Sequence, residues 1–174
     1  FEELPTEAST AQLEVHLWRR KVAVVPDWLE QKVALPSLDV DWEAAGLERC
    51  SKSVQVGMSN RYPGGAPGGV LGTGKYQEPI FFAERPELLV SLLVSQRLEP
   101  NEALIISGAR QFGASTGIGP GVRAVPGGAT ALQKQIALSQ DLMQVDALDF
   151  RDPSIPNEFS DAAIHRELLK LYAG

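Results

Sequence analysis

Cysteine is almost absent from this chain: Cys50 is the single one among 174 residues. One thiol cannot close an internal disulfide. The two histidines, His16 and His165, lie far apart, and no CxxC or HExxH spacing exists, which removes the usual zinc sites. A buried, inert thiol is the default for Cys50. Long apolar runs are missing too, since none approaches the ~20 residues of a membrane-spanning helix. Positive charge is scarce: 16 Lys and Arg stand against 22 Asp and Glu, a formal net charge of -6. That balance argues against broad electrostatic binding to nucleic acid or anionic lipid, so no DNA partner is expected. The short run Arg19-Arg20-Lys21 reads most simply as a solvated turn or strand end. No internal repeat is present. What remains is ordinary for a soluble globular chain, with length for one domain and its core rather than two. The chain opens on Phe1 rather than Met, as a processed chain or part of a longer one does. Nothing in it marks a compartment.

The apolar pattern favours alternating strands and helices. Leu13, Val15 and Leu17 alternate with polar residues and predict a half-buried strand. Asp27 to Cys50, broken by Pro36, predicts short elements and loops. Val54–Met58 predicts a short strand. Leu88, Leu89, Leu92, Leu93 and Val94 recur at helical spacing behind Pro86, so a helix is predicted over 86–98. Ala103-Leu-Ile-Ile-Ser107 has the composition of a buried strand. Gly113 to Gly128 is rich in Gly and Pro and predicts a loop, and Leu142–Leu148 a strand. Ser160 is placed to cap a last helix through Ile164, Leu168 and Leu171, with Glu167 and Lys170 on its polar side. Together these predict an α/β layer architecture.

The densest glycine run, from Arg61 to Lys75, permits positive φ and close backbone approach. Gly69-Val-Leu-Gly-Thr-Gly-Lys75 fits seven positions of a phosphate-binding P-loop, but the eighth is Tyr76 where Ser or Thr should ligate magnesium. Pro79 disfavours helical backbone at Glu78 and argues against a helix starting at Lys75. A nucleotide triphosphatase is therefore disfavoured, and a flexible surface loop is the plain alternative.

A family resemblance reads the same run differently. Pro67-Gly-Gly-Val-Leu-Gly-Thr-Gly-Lys-Tyr-Gln-Glu-Pro79 resembles the signature of poly(ADP-ribose) glycohydrolases, a triple glycine, a short spacer and Gln-Glu-Glu. Asn60-Arg-Tyr62 resembles the family's Asn-Arg-aromatic, and Pro86-Glu-Leu-Leu-Val-Ser91 its Pro-Glu-Leu-Ile helix. Asn101-Glu-Ala-Leu-Ile-Ile-Ser-Gly108 resembles its Asn-Glu-Cys-Leu-Ile-Ile-Thr-Gly strand. Gln111-Phe112, Ser115-Thr-Gly117, Asp146-Ala-Leu-Asp-Phe-Arg151 and Arg166-Glu-Leu-Leu-Lys-Leu-Tyr172 follow in the family's order. The resemblance covers roughly residues 54–174, with a fainter match at Leu13–Trp28. It implies a truncated macrodomain-like mixed sheet flanked by helices, with residues 1–53 as an accessory segment and 54–174 as the partial macrodomain.

The family hydrolyses the ribose–ribose bond of poly(ADP-ribose). Such a bond breaks through an oxocarbenium-like state and needs a carboxyl that protonates the leaving oxygen and then activates water. The resemblance places that carboxyl, the second Glu of Gln-Glu-Glu, at Pro79, whose ring carries no exchangeable proton. The family's Asp ahead of Asn-Arg-aromatic falls on Gly57, and a tyrosine lying over the ligand on Ile118. Pro67 replaces the first glycine of the triple, beside an insertion around Gly65–Pro67. Asn60, Gly68, Gly69, Gly72, Gly74, Gln77 and Glu78 remain as a vestigial ADP-ribose loop, in which Glu78 is expected to hold ribose hydroxyls. Relatives continue past the Arg-Glu-Leu helix into a second glycine-rich loop, where this chain stops at Gly174. The expectation is a non-catalytic relative serving as a structural or interaction subunit of a protein complex, with no metal or cofactor. The alternatives are an ADP-ribose-binding module and a weakly active glycohydrolase that relies on Glu78.

Overall fold

The computed structural model describes residues 14–34, 36–37, 40, 52–64, 77–117, 119–131, 134–135, 140–150, 152–155 and 157–174. Its centre is a four-stranded mixed sheet of β1 (His16–Lys21), β2 (Val54–Ser59), β3 (Glu102–Ser107) and β6 (Asp141–Asp146), in the order β1-β3-β6-β2. β3 is antiparallel to both β1 and β6, while β2 runs parallel to β6. A second ladder of two residues per strand pairs β4 (Ser115–Thr116) with β5 (Arg123–Ala124) inside the predicted Gly/Pro loop. β1, which comes from ahead of residue 54, forms one edge of the main sheet.

Helices cover both faces of the sheet. Side chains alternate across a strand, so Leu104, Ile106 and Leu142 share one face. There they pack with Phe81 and Phe82 of α1 (Gln77–Glu84), with Leu88 of the 3-10 turn Pro86–Leu89, and with Leu98 and Ala109. On the other face Ala103, Met143 and Val145 meet Leu169 and Ala173 of α3 (Asp161–Ala173), together with Val22 and the half-buried Trp28. The Trp28 ring also stands edge-on to Tyr172, 5.4 Å between centroids. This is the predicted α/β sandwich of layers.

The helix predicted over 86–98 is shorter than its leucine spacing implied. It opens as the 3-10 turn, continues as α2 (Val90–Val94), and stops at Ser95, whose backbone is extended. Leu93 and Val94 point to solvent, at 85% and 65% exposed, whereas Leu98 leaves the helical path and is buried. The backbone explains the break, because the Leu98 N–H donates to the Arg61 carbonyl at 2.6 Å and ties this segment to the chain after β2. β1 likewise starts at His16, later than the alternation from Leu13 suggested, and Leu13 lies outside the described residues.

Ser160 caps α3, its hydroxyl accepting from the Ala163 N–H at 3.3 Å. The face of that helix differs from the prediction. Ile164, Leu168 and Leu171 are 46%, 41% and 49% exposed, while Ala163, Leu169, Lys170 and Ala173 turn inward. Lys170, expected on the polar side, is fully buried. Its ammonium donates to the Asp146 carbonyl and to the Glu167 carboxylate, and Arg166 holds the Asp146 carboxylate at 2.6 Å. A buried cation persists only when paired and hydrogen-bonded; Glu167 on the same helix supplies the charge and the Asp146 carbonyl at the end of β6 a further acceptor. The Arg19-Arg20-Lys21 run forms the exposed end of β1, the solvated strand end that the sequence suggested, and its side chains are tied to neighbouring segments. Arg19 bonds the Gln96 and Arg97 carbonyls and Glu102, Arg20 bonds the Gly174 carbonyl at 2.8 Å, and Lys21 lies 3.8 Å from Glu102. Among the described residues no helix is long and apolar enough to cross a membrane.

Phe82 is completely buried between α1 and the sheet. Phe82→Ala is expected to lower unfolding free energy by about 3–5 kcal/mol, measured by urea denaturation. A loss below about 1 kcal/mol would contradict this packing.

Candidate functional site

Parallel strands deliver functional groups at their carboxyl ends, and here β2 and β6 end side by side, with Ser59 opposite Asp146. From Ser59 the chain enters a tight turn. The Asn60 side-chain carbonyl accepts from the Tyr62 N–H at 3.3 Å, an Asx turn. Gly64 follows with φ of +88°, and a Cβ there would stand 2.5 Å from Leu92 Cδ2, so only glycine fits. This conformation aims the Gly64 N–H at Glu78, whose Oε1 accepts it at 2.6 Å.

Glu78 is the second residue of α1 and is 4% exposed. The expectation that Pro79 would push Glu78 into extended backbone is not met. Residues in the first turn of a helix have no intrahelical acceptor for their N–H groups, so a proline there forfeits no bond. The gains from Glu78–Gly64 and from burying Phe81 and Phe82 outweigh the local preference against helix before proline. Burial is the main influence on the Glu78 carboxyl and raises its pKa from 4.5 to about 7, although backbone bonds from Gly64 and Asn60 favour the ionised form.

Beneath this turn, Gly57 pairs with Gln144 of β6. A Cβ on Gly57 would come within 2.9 Å of Gln144 Nε2 and 3.2 Å of its Oε1. The Gln144 carboxamide thus lies against the bare Cα of Gly57. It is fully buried, and neither of its polar atoms has a hydrogen-bond partner.

At the far end of α1, Glu84 is buried and organises the segment after β3. Its carboxylate accepts from Gln111 Nε2 at 3.1 Å and Ser115 Oγ at 2.6 Å, and its carbonyl accepts from Phe112 and Gly113. Sequence reasoning singled out neither Glu84 nor Gln144. A lone Glu after Phe-Phe-Ala, and a lone Gln inside an apolar strand, were the available signals.

The structure therefore brings Asn60, Gly64 and Glu78 together, sets Pro79 beside them in the first turn of α1, and puts Gln77 half-buried at the start of that helix. Gly57 lies two residues below Ser59 on β2, paired with Gln144. Gly68, Gly69, Gly72, Gly74 and Ile118 lie outside the described residues.

A mixed sheet between helices, with a glycine-bearing turn at the carboxyl ends of β2 and β6, is consistent with a macrodomain. The family model described as Poly (ADP-ribose) glycohydrolase (PARG), Macro domain fold, matches residues 25–174. The chain belongs to the poly(ADP-ribose) glycohydrolase family. It is 33% identical over 103 residues to poly(ADP-ribose) glycohydrolase 1 of Arabidopsis thaliana, covering 58% of this chain and 18% of that protein. It is 33% identical over 94 residues to poly(ADP-ribose) glycohydrolase 1 of Caenorhabditis elegans, covering 53% and 12%. Against the probable poly(ADP-ribose) glycohydrolase 2 of Arabidopsis thaliana it is 28% identical over 148 residues, covering 84% and 27%. The matched stretch is thus a minor part of each relative's length.

Two outcomes follow from this geometry. The folded state holds the Glu78 proton more tightly than the unfolded chain, so its contribution to stability is full below pH 4.5 and is lost as pH rises through about 7. The loss is about 3 kcal/mol at most, and Glu78→Gln should flatten that slope in urea titrations run from pH 4.5 to 8. Gly57→Asp alone should cost about 1–3 kcal/mol by crowding Gln144, and adding Gln144→Ala should recover most of it. Equal instability of the single and double variants would show that the two side chains do not compete for one space.

Proposed function

We propose that this chain is a catalytically inactive member of its family that serves as a structural or interaction subunit of a larger protein complex. The observation that carries the reading is Pro79. It occupies the first turn of α1 directly after Glu78, where the resemblance places the carboxyl that would protonate the leaving oxygen. A positioned general acid/base contributes about 10²–10⁴-fold in rate, and a pyrrolidine ring contributes none of it. Glu78 does not stand in freely, because it is buried and its Oε1 is bound to Gly64. The Gln144 carboxamide fills the space a side chain at Gly57 would enter, which supports loss of the second acidic position. The exposed stripe of Ile164, Leu168 and Leu171 on α3, with Phe159 at 78% and Tyr172 at 59% exposed nearby, supports a role in binding protein.

One observation favours the weakly active reading. A carboxyl with a pKa of about 7 is suited to proton transfer near neutral pH. Retention of Asn60 beside Glu78, bonded through its backbone, likewise leaves ADP-ribose binding as the family-derived alternative.

The test is release of ADP-ribose from poly(ADP-ribose) at pH 7, beside Glu78→Gln and calorimetry with ADP-ribose. The expected result is no release above buffer and no heat at millimolar ligand. Clear turnover abolished by Glu78→Gln would establish the weakly active enzyme, and heat without turnover the binding module.

A further inference from the structure

At the opposite end of β2 from Asn60, three polar side chains turn into the protein. Gln55 of β2, Arg85 between α1 and the 3-10 turn, and Gln140 just ahead of β6 are 5%, 5% and 6% exposed. They line one small cavity together with Asp141 and the apolar Leu88, Ile106, Ala109 and Leu142. The Arg85 guanidinium is fixed over the Phe81 ring, 5.7 Å from its centroid. Gln55 Nε2 is a buried donor with no hydrogen-bond partner. A buried donor left without an acceptor is destabilising, and such a donor within a polar-lined cavity points to a small acceptor.

Size and chemistry select the acceptor. The cavity measures about 10 Å³, near the minimum that holds one water and too small for a larger anion or an organic group. A buried water needs two to four polar partners, and the lining supplies amide donors, a guanidinium, an amide carbonyl and a carboxylate. We propose that this cavity is a specific internal water site, in which one water accepts from Gln55 Nε2 and links the foot of β2 to Arg85 and Gln140. The water joins three separate pieces of chain: the sheet, the start of the 3-10 turn and the lead-in to β6. It lies away from the Glu78 turn and is independent of the functional reading above.

Gln55→Leu gives the two cases opposite signs. With the water in place, the variant strands the polar groups that the water had served, and the protein melts about 2–4 °C lower. Without the water, removal of an unsatisfied buried amide raises the melting temperature. The second measurement is a rotating-frame Overhauser contact between water and the Gln55 side-chain amide in the isotope-labelled, unmutated chain. A lower melting temperature together with that contact is expected. A melting temperature that is unchanged or higher, or absence of the contact, overturns the proposal.

Discussion

The bond from the Gly64 N–H to the buried Glu78 carboxyl is the constraint on which the rest of the candidate site depends. It fixes where the chain leaving β2 must turn, and it fixes where α1 must begin. Burial of that carboxyl makes the bond strong and also makes ionisation costly. The result is a turn whose geometry is held by a group able to change charge near neutrality. Pro79 can sit in the next position only because α1 is already anchored on its amino-terminal side, in a turn that asks for no N–H from it.

Much of the scaffold was legible in the residues. Val54–Met58, the Ala-Leu-Ile-Ile run and the Ser160 cap each state their structure locally, through β-rich composition or a side-chain oxygen placed before a helix. The misreadings share one cause, which is that distant backbone decided the outcome. Leucines at helical spacing said nothing of the Arg61 carbonyl that takes the Leu98 N–H and ends the helix. Lys170 looked like a surface charge because Asp146, its acceptor, is 24 residues away. Leu168 fitted an apolar stripe, yet α3 rotates that stripe outward and spends its inner face on Lys170 and Leu169. The pre-proline preference at Glu78 was sound as a local rule and was outweighed by a contact with Gly64, 14 residues back.

The site was legible in a different sense. Glu78, Asn60 and Gly57 stood out only through a family's ordered motifs, since a carboxylate before a proline carries no pattern of its own. What the motifs could not give was the company these residues keep. Gln144 against Gly57 and Glu84 beneath Gln111 and Ser115 depend on strand register and on helix placement, neither of which spacing reveals.

The antiparallel pairing of β1 with β3 has a temporal side. Arg19 and its partner Glu102 are 83 residues apart, and Arg20 reaches Gly174 across 154. On a ribosome extending the chain at about 5–20 residues per second, β1 would wait roughly 4–17 s for its first neighbour to be made. Throughout that interval the β1 backbone is without the ladder partners it has in the fold, and an unpaired strand of this kind is exposed to pairing with other chains.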